Sequence, residues 1–197
     1  MINMFSDITK VSVSPFGTVF AVGNTDLLDP KYSSVRFSVA GSRTISFDSG
    51  DWLRSQIAML SSQHIVVSGL AFGADTIAHQ LALKHDIPQI AVLPSGINNI
   101  TPYSNLGLAH DIVDAGGCLI SAYHPKARAC RNSYIARNQI IAYLGHMLIV
   151  PEFSIRSGTR HTVDFAKNYK KYIIVNNCDY SGNQFIINNN SYNTIVK

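Results

Sequence analysis

The stretch His64–His79, HIVVSGLAFGADTIAH, decides how this chain is to be read. Its first five residues, His64–Ser68, form a short apolar, β-branched run that reads as a buried strand. From Ala74 onward the residues favour helix, with Ile77, Ala78 and Leu81 spaced to bury one face. Between the two lies Gly69-Leu70-Ala71-Phe72-Gly73. Glycines at both ends of a strand-to-helix turn permit positive φ and close approach of another group to the backbone. Such a turn aims amides of the helix's first turn at the space above the strand's carboxyl end, a geometry that attracts phosphate. A tight turn whose glycines serve only packing is the plainer alternative.

Working outward, 197 residues with 46% hydrophobic and 14% charged content suffice for an α/β core with a surface rich in Ser, Asn and Thr. No apolar run approaches the roughly 20 residues needed to span a bilayer. The amino terminus, MINMFSDITK, lacks the pattern of a secretory signal. Cys118, Cys130 and Cys178 are scattered without CxxC spacing, so reduced thiols are expected rather than disulfides or a metal site, and the cytoplasm is the expected location. Net charge is +4. Between Ala115 and Val163 the acid Glu152 stands against Lys126, Arg128, Arg131, Arg137, Arg156 and Arg160. That local excess suits a polyanion, or else forms a solvated basic face without a partner.

Strands are expected at 18–22, 35–40, 64–68, 89–93, 117–121, 146–150 and 172–175. Helices are expected over 48–62, 74–86, 104–115, 132–144 and 157–169. Residues 25–34 read as a connection containing Pro30. Strands alternating with helices at this spacing imply a mostly parallel sheet with helices on both faces. This core is expected to span 1–175. The Asn-rich residues 176–197 then form either a hairpin turning across Asn188–Ser191 or a disordered tail.

Ligands of such sheets sit at the carboxyl ends of the strands. The polar insertions collected there are Gly41-Ser42-Arg43, Gly69 to Asp75, Ser95-Gly96, Ser121 to Arg131, and Ser157-Gly158-Thr159. Ser157 can cap the helix it opens, leaving the next amides for a phosphate oxygen, or it caps and does no more. Arg43 could add a charge-assisted contact. Arg137-Asn138 interrupts a helix that is otherwise apolar on that side. A buried Asn there must tie loops together or meet a ligand. Tyr134, one turn earlier and near Arg131, offers an aromatic face for a base or for the core. His79 reads as a helix-packing residue rather than a catalytic base.

Several of these stretches together resemble the DNA-processing protein A (DprA/Smf) family. They are FAVGNTDLL at 20–28, GSR at 41–43, SGLAFGADTIAH at 68–79, Pro102-Tyr103, SAYHP at 121–125, YIARNQIIAYL at 134–144 and SGTRHT at 157–162. The resemblance covers about residues 15–175. It implies an extended Rossmann-like fold, single-stranded DNA binding, loading of a RecA-type recombinase during DNA uptake, and a homodimer. It implies neither a cofactor nor catalysis. By motif position the binding role falls on Arg43, on the loop with Gly69, Phe72 and Gly73, on Tyr134, Arg137 and Asn138, and on Ser157, Gly158 and Thr159. Gly41, Ser42, Lys126 and Arg131 join them from their place on the polar, basic rim.

This chain departs from the family pattern at three places. Phe72 stands where Arg is usual, Ala122 where Glu is usual, and Asn176-Asn177 where Pro-Gly is usual. No winged-helix region follows, so a Rossmann core on its own is expected. An exposed Phe72 should stack on a base or pack into a neighbouring subunit. A non-catalytic pocket for a small nucleotide is the alternative function. Glycosidic hydrolysis, as in phosphoribohydrolases of the wider superfamily, lacks its Glu after the 157–159 loop.

Overall fold

A computed structural model of the protein describes residues 5–29, 31 and 34–197. The expected connection over 25–34 therefore lies partly outside the described residues. Its first part, Thr25–Leu28, is a 3-10 turn capped by the Asn24 side chain.

The strands are β1 (Thr9–Val13), β2 (Gly17–Gly23), β3 (Val35–Val39), β4 (His64–Ser68), β5 (Gln89–Leu93), β6 (Cys118–Ser121), β7 (Met147–Val150), β8 (Tyr172–Val175) and β9 (Asn193–Val196). They make one sheet in the order β1-β2-β6-β5-β4-β3-β7-β8-β9. All neighbours from β6 to β9 pair in parallel, whereas β1 with β2 and β2 with β6 are antiparallel. The mostly parallel sheet, with 64–68 and 89–93 as parallel neighbours, is as expected. β1 was not anticipated: TKVSV carries no strong apolar alternation, and pairing with β2 defines it.

The helices are α1 (Phe47–Ala58), α2 (Ala74–Lys84), α3 (Leu106–Asp114), α4 (Arg131–Leu144), α5 (Thr159–Asn168) and α6 (Ser181–Ile187). Helices α1 to α3 cover one face, packing on Val39, Val66, Ala91 and Leu119. Helices α4 to α6 cover the other, packing on Val67, Ile90, Leu148 and Val175. Both faces of β4 are thus covered, and Ile65, Val66 and Val67 have no exposed surface. This is why the run carries no polar alternation.

Residues 176–197 form neither the expected hairpin nor a disordered tail. Gln184–Ile187 belongs to α6, and β9 adds in parallel to β8, from Tyr172 opposite Asn193 to Val175 opposite Val196. The side chain of Asn183, fully buried, accepts the Phe153 amide at 3.0 Å and donates to the Pro151 and Asn176 carbonyls at 3.1 and 3.0 Å. Asparagine here satisfies buried backbone groups instead of breaking structure. The three cysteines are free thiols, and burial pushes Cys118 up to about 12.

Candidate functional site

The chain leaves β3 toward β4 on one side of the sheet and β7 lies on the other, so the strand order reverses at β3. A crevice opens at such a reversal, beyond the carboxyl ends of the strands. Here it is a cavity of about 400 Å³. Val39 to Arg43 form one wall and Ser157, Gly158, Thr159 and Thr162 another. Tyr134, Arg137, Asn138 and Ile141 of α4 close it, with Ala71 from the turn after β4 and Asp75 from the start of α2.

Of the residues expected at the site, Gly41, Ser42, Arg43, Tyr134, Arg137, Asn138, Ser157, Gly158 and Thr159 meet in this cavity. Gly69, Phe72, Gly73, Lys126 and Arg131 do not line it. Phe72 is half exposed at the tip of its turn, and Lys126 and Arg131 are exposed. Asp75 and Thr162 were missed. The signal for Asp75 was available: with His79 it places polar residues four apart on a helical stripe otherwise made of Ala74, Ala78 and Ala82.

Arg137 shows the largest difference between expectation and geometry. It is 5% exposed, and its Nη1 lies 3.3 Å from Asp75 Oδ2. Burial lowers its pKa from the ordinary 12.5, opposed by the Asp75 charge. The guanidinium lies against Gly69, where a Cβ would overlap it. The close approach that Gly69 permits is therefore made by an arginine of the chain itself. Positive φ falls on Leu70 (58°) and Gly73 (70°), not on Gly69. A Cβ at Gly73 would collide with the Ser42 carbonyl.

The turn also spends part of its donor capacity internally. The Ala71 amide donates to Asp75 Oδ2 at 3.3 Å and the Ala74 amide to the Ser42 carbonyl at 3.1 Å. Ser157 does not cap α5. Gly158 occupies that position with no side-chain hydrogen bond, and the buried Ser157 Oγ has no partner among the described residues. Thr159 Oγ1 instead donates to the Gly41 carbonyl at 2.9 Å, and Asn138 Nδ2 to the Gly158 carbonyl at 3.2 Å, tying the walls together.

At the mouth the Arg43 guanidinium lies 5.3 Å from the centroid of the Tyr134 ring. Arg43 is exposed, so one cation and one aromatic face meet at the entrance while a second cation, Arg137, sits at the back. Arg137 Nε is buried without a partner among the described residues, as is Ser157 Oγ. Orphaned polar atoms of this kind around a cavity mark a place where a ligand supplies the missing bonds. His79, fully buried, is bound to Gln89 at 2.7 Å and packs inside, as expected.

The sequence model of DNA recombination-mediator protein A matches residues 5–195. The chain belongs to the DNA recombination-mediator protein A family. It is 34% identical over 160 residues to the DNA processing protein DprA of Streptococcus pneumoniae, covering 81% of this chain and 55% of that relative. It thus spans about half the length of that member. A crystal structure of DprA from Streptococcus pneumoniae superposes with a TM-score of 0.85 at 26% identity, covering 98% of this chain and 72% of the other. A structure of DNA processing protein A from Helicobacter pylori, described by its single-stranded DNA binding mode, superposes with a TM-score of 0.87 at 22% identity. It covers 98% of this chain and 93% of the other. No helix among the described residues is long and apolar enough to cross a membrane.

Proposed function

We propose that this family member binds single-stranded DNA at the β3/β7 crevice and acts as a recombination mediator, a homodimer that loads a RecA-type recombinase onto the strand. The observation that carries the binding is the Arg43–Tyr134 pair at the mouth of a cavity backed by Arg137. A guanidinium can meet a phosphate through paired hydrogen bonds, and an aromatic face can take a base of any identity. Arg137, held inside by Asp75, contributes positive potential and positions α4 against the Gly69 turn. The role of the chain is to hold a polymer, not to turn it over.

The test is fluorescence anisotropy with a labelled oligodeoxynucleotide. Arg43→Ala should weaken binding by about 1.5–3 kcal/mol, the range for a hydrogen bond to a charged group. Wild-type affinity should fall as salt rises, because bound phosphates release counterions. Binding by Arg43→Ala equal to wild type, with no salt dependence, would remove the crevice as the DNA site. Light scattering tests the dimer, and filament assembly by a RecA-type recombinase on the bound strand tests the mediator role.

A further inference from the structure

A strand held at the crevice can leave it in two directions along the carboxyl rim of the sheet, over β4, β5 and β6 or over β8. The two sides differ in charge. On the β8 side, Asp48 and Asp179 line an open hollow together with Trp52 and Tyr180. Aromatic surface is present there, and the loop after β7 brings the exposed Arg156 beside it, but the two carboxylates offset that single cation. On the other side the loop after β6 carries Lys126, Arg128 and Arg131, all exposed. That loop is seated on the loop after β5. The Gly96 amide donates to the Ala127 carbonyl at 2.9 Å, the Asn98 amide to the Pro125 carbonyl at 2.8 Å and Asn99 Nδ2 to the Ala127 carbonyl at 3.1 Å.

Opposite this basic loop, on the face covered by α2 and α3, two aromatic side chains stand in solvent. Phe72 is 50% exposed and Tyr103 71% exposed. Their loops are tied together. Asn105, two residues after Tyr103, donates through Nδ2 to the Leu70 carbonyl and to Thr76 Oγ1, each at 2.9 Å. The rim over β4 and β5 is therefore bordered by cations toward α4 and by aromatics toward α2 and α3. A single strand needs both, since phosphates seek charge and unpaired bases seek π-faces.

We propose that bound single-stranded DNA exits the crevice over β4, β5 and β6, with the next bases stacking on Phe72 and then Tyr103 and their phosphates facing Lys126 and Arg128. The direction rests on the binding function proposed above. It assigns a role to Tyr103 and makes Phe72 a stacking step in place of a charged one.

Anisotropy with labelled oligodeoxythymidylates of about three and about twelve nucleotides tests it, since site sizes of single-strand binders span about 4–16 nucleotides. The readout is the gain in affinity from the short to the long oligomer. Tyr103→Ala should cut that gain by roughly 5- to 150-fold, the span covered by stacking of one base. Lys126→Ala combined with Arg128→Ala should reduce its salt dependence. Tyr180→Ala, on the acidic side, should leave the gain as in wild type. A full gain in Tyr103→Ala, or its loss in Tyr180→Ala instead, overturns the proposed direction. Failure of the binding function looks different: wild type would bind neither oligomer, and the exit path falls with it. Tyr103 is largely exposed, so its removal leaves a thermal melt unchanged and a folding defect is separable.

Discussion

At the scale of single residues, Gly69 and Arg137 form a matched pair, one lacking the side chain that the other's guanidinium would strike. Gly69→Ala forces the arginine away from Asp75 and should destabilise the fold by about 1–3 kcal/mol, as overpacking does. Arg137→Ala leaves Asp75 buried without its cation and should cost about 3–5 kcal/mol. The double variant has room for the new methyl group and should be less destabilised than the sum of the two, by about 0.5–3 kcal/mol. Urea unfolding of all four proteins checks this. Strict additivity would mean that the two residues do not constrain each other. The pair was half legible in advance. An arginine beside an asparagine on an apolar helix signals a special position, but whether its charge turns inward or outward depends on where a carboxylate lies.

At the scale of elements, α2 carries a titratable group into the core. His79 is fully buried, and burial lowers its pKa from 6.5, opposed by the Gln89 hydrogen bond. The unfolded chain therefore binds a proton that the folded chain resists. Stability should be full above pH 6.5 and should fall as the pH drops through 6.5 and below, the sign expected for a depressed folded-state value. His146 is lowered too, by burial first and by Lys171 and Arg36 next, so both histidines add to the slope. Melting temperature measured against pH should have a shallower acid slope in His79→Gln, which takes no charge. An unchanged slope would place the acid sensitivity elsewhere. That His79 packs inside was readable from its place on the apolar stripe of α2; its Gln89 partner on β5 was not.

At the scale of the whole molecule, the sheet reaches its full width only because the last segment returns to it. Asn183 holds that segment against the loop after β7, serving the Phe153 amide and the Pro151 and Asn176 carbonyls. On the outer side Tyr192 donates to Asp164 at 2.8 Å, and burial with the Asp164 contact raises its pKa to about 12. Asn183→Leu should orphan the buried Phe153 amide, at about 1–3 kcal/mol, while the Asn176 and Pro151 carbonyls keep the Cys178 amide and Cys178 Sγ as donors. Hydrogen exchange should show the loss first at β9 and α6. Protection lost uniformly across the sheet would instead mean that the segment folds and unfolds with the entire core.

What the sequence by itself determined is local. The apolar runs, the helical stripes and the Gly-Ser turns specify the succession of strands and helices from β2 to β8, the parallel sheet, and the edge on which polar loops gather. Each follows from a period of two or 3.6 residues and from turn chemistry that a few neighbours define. Tertiary structure alone decided which of those loops share a cavity. It turned Arg137 inward to an aspartate 62 residues away, left Lys126 and Arg131 on the surface, and made an ordered helix and strand of an Asn-rich end. The physical reason is that periodicity records burial but not partners. A buried charge or amide takes its orientation from the group that satisfies it, and for Arg137 and Asn183 that group belongs to another element.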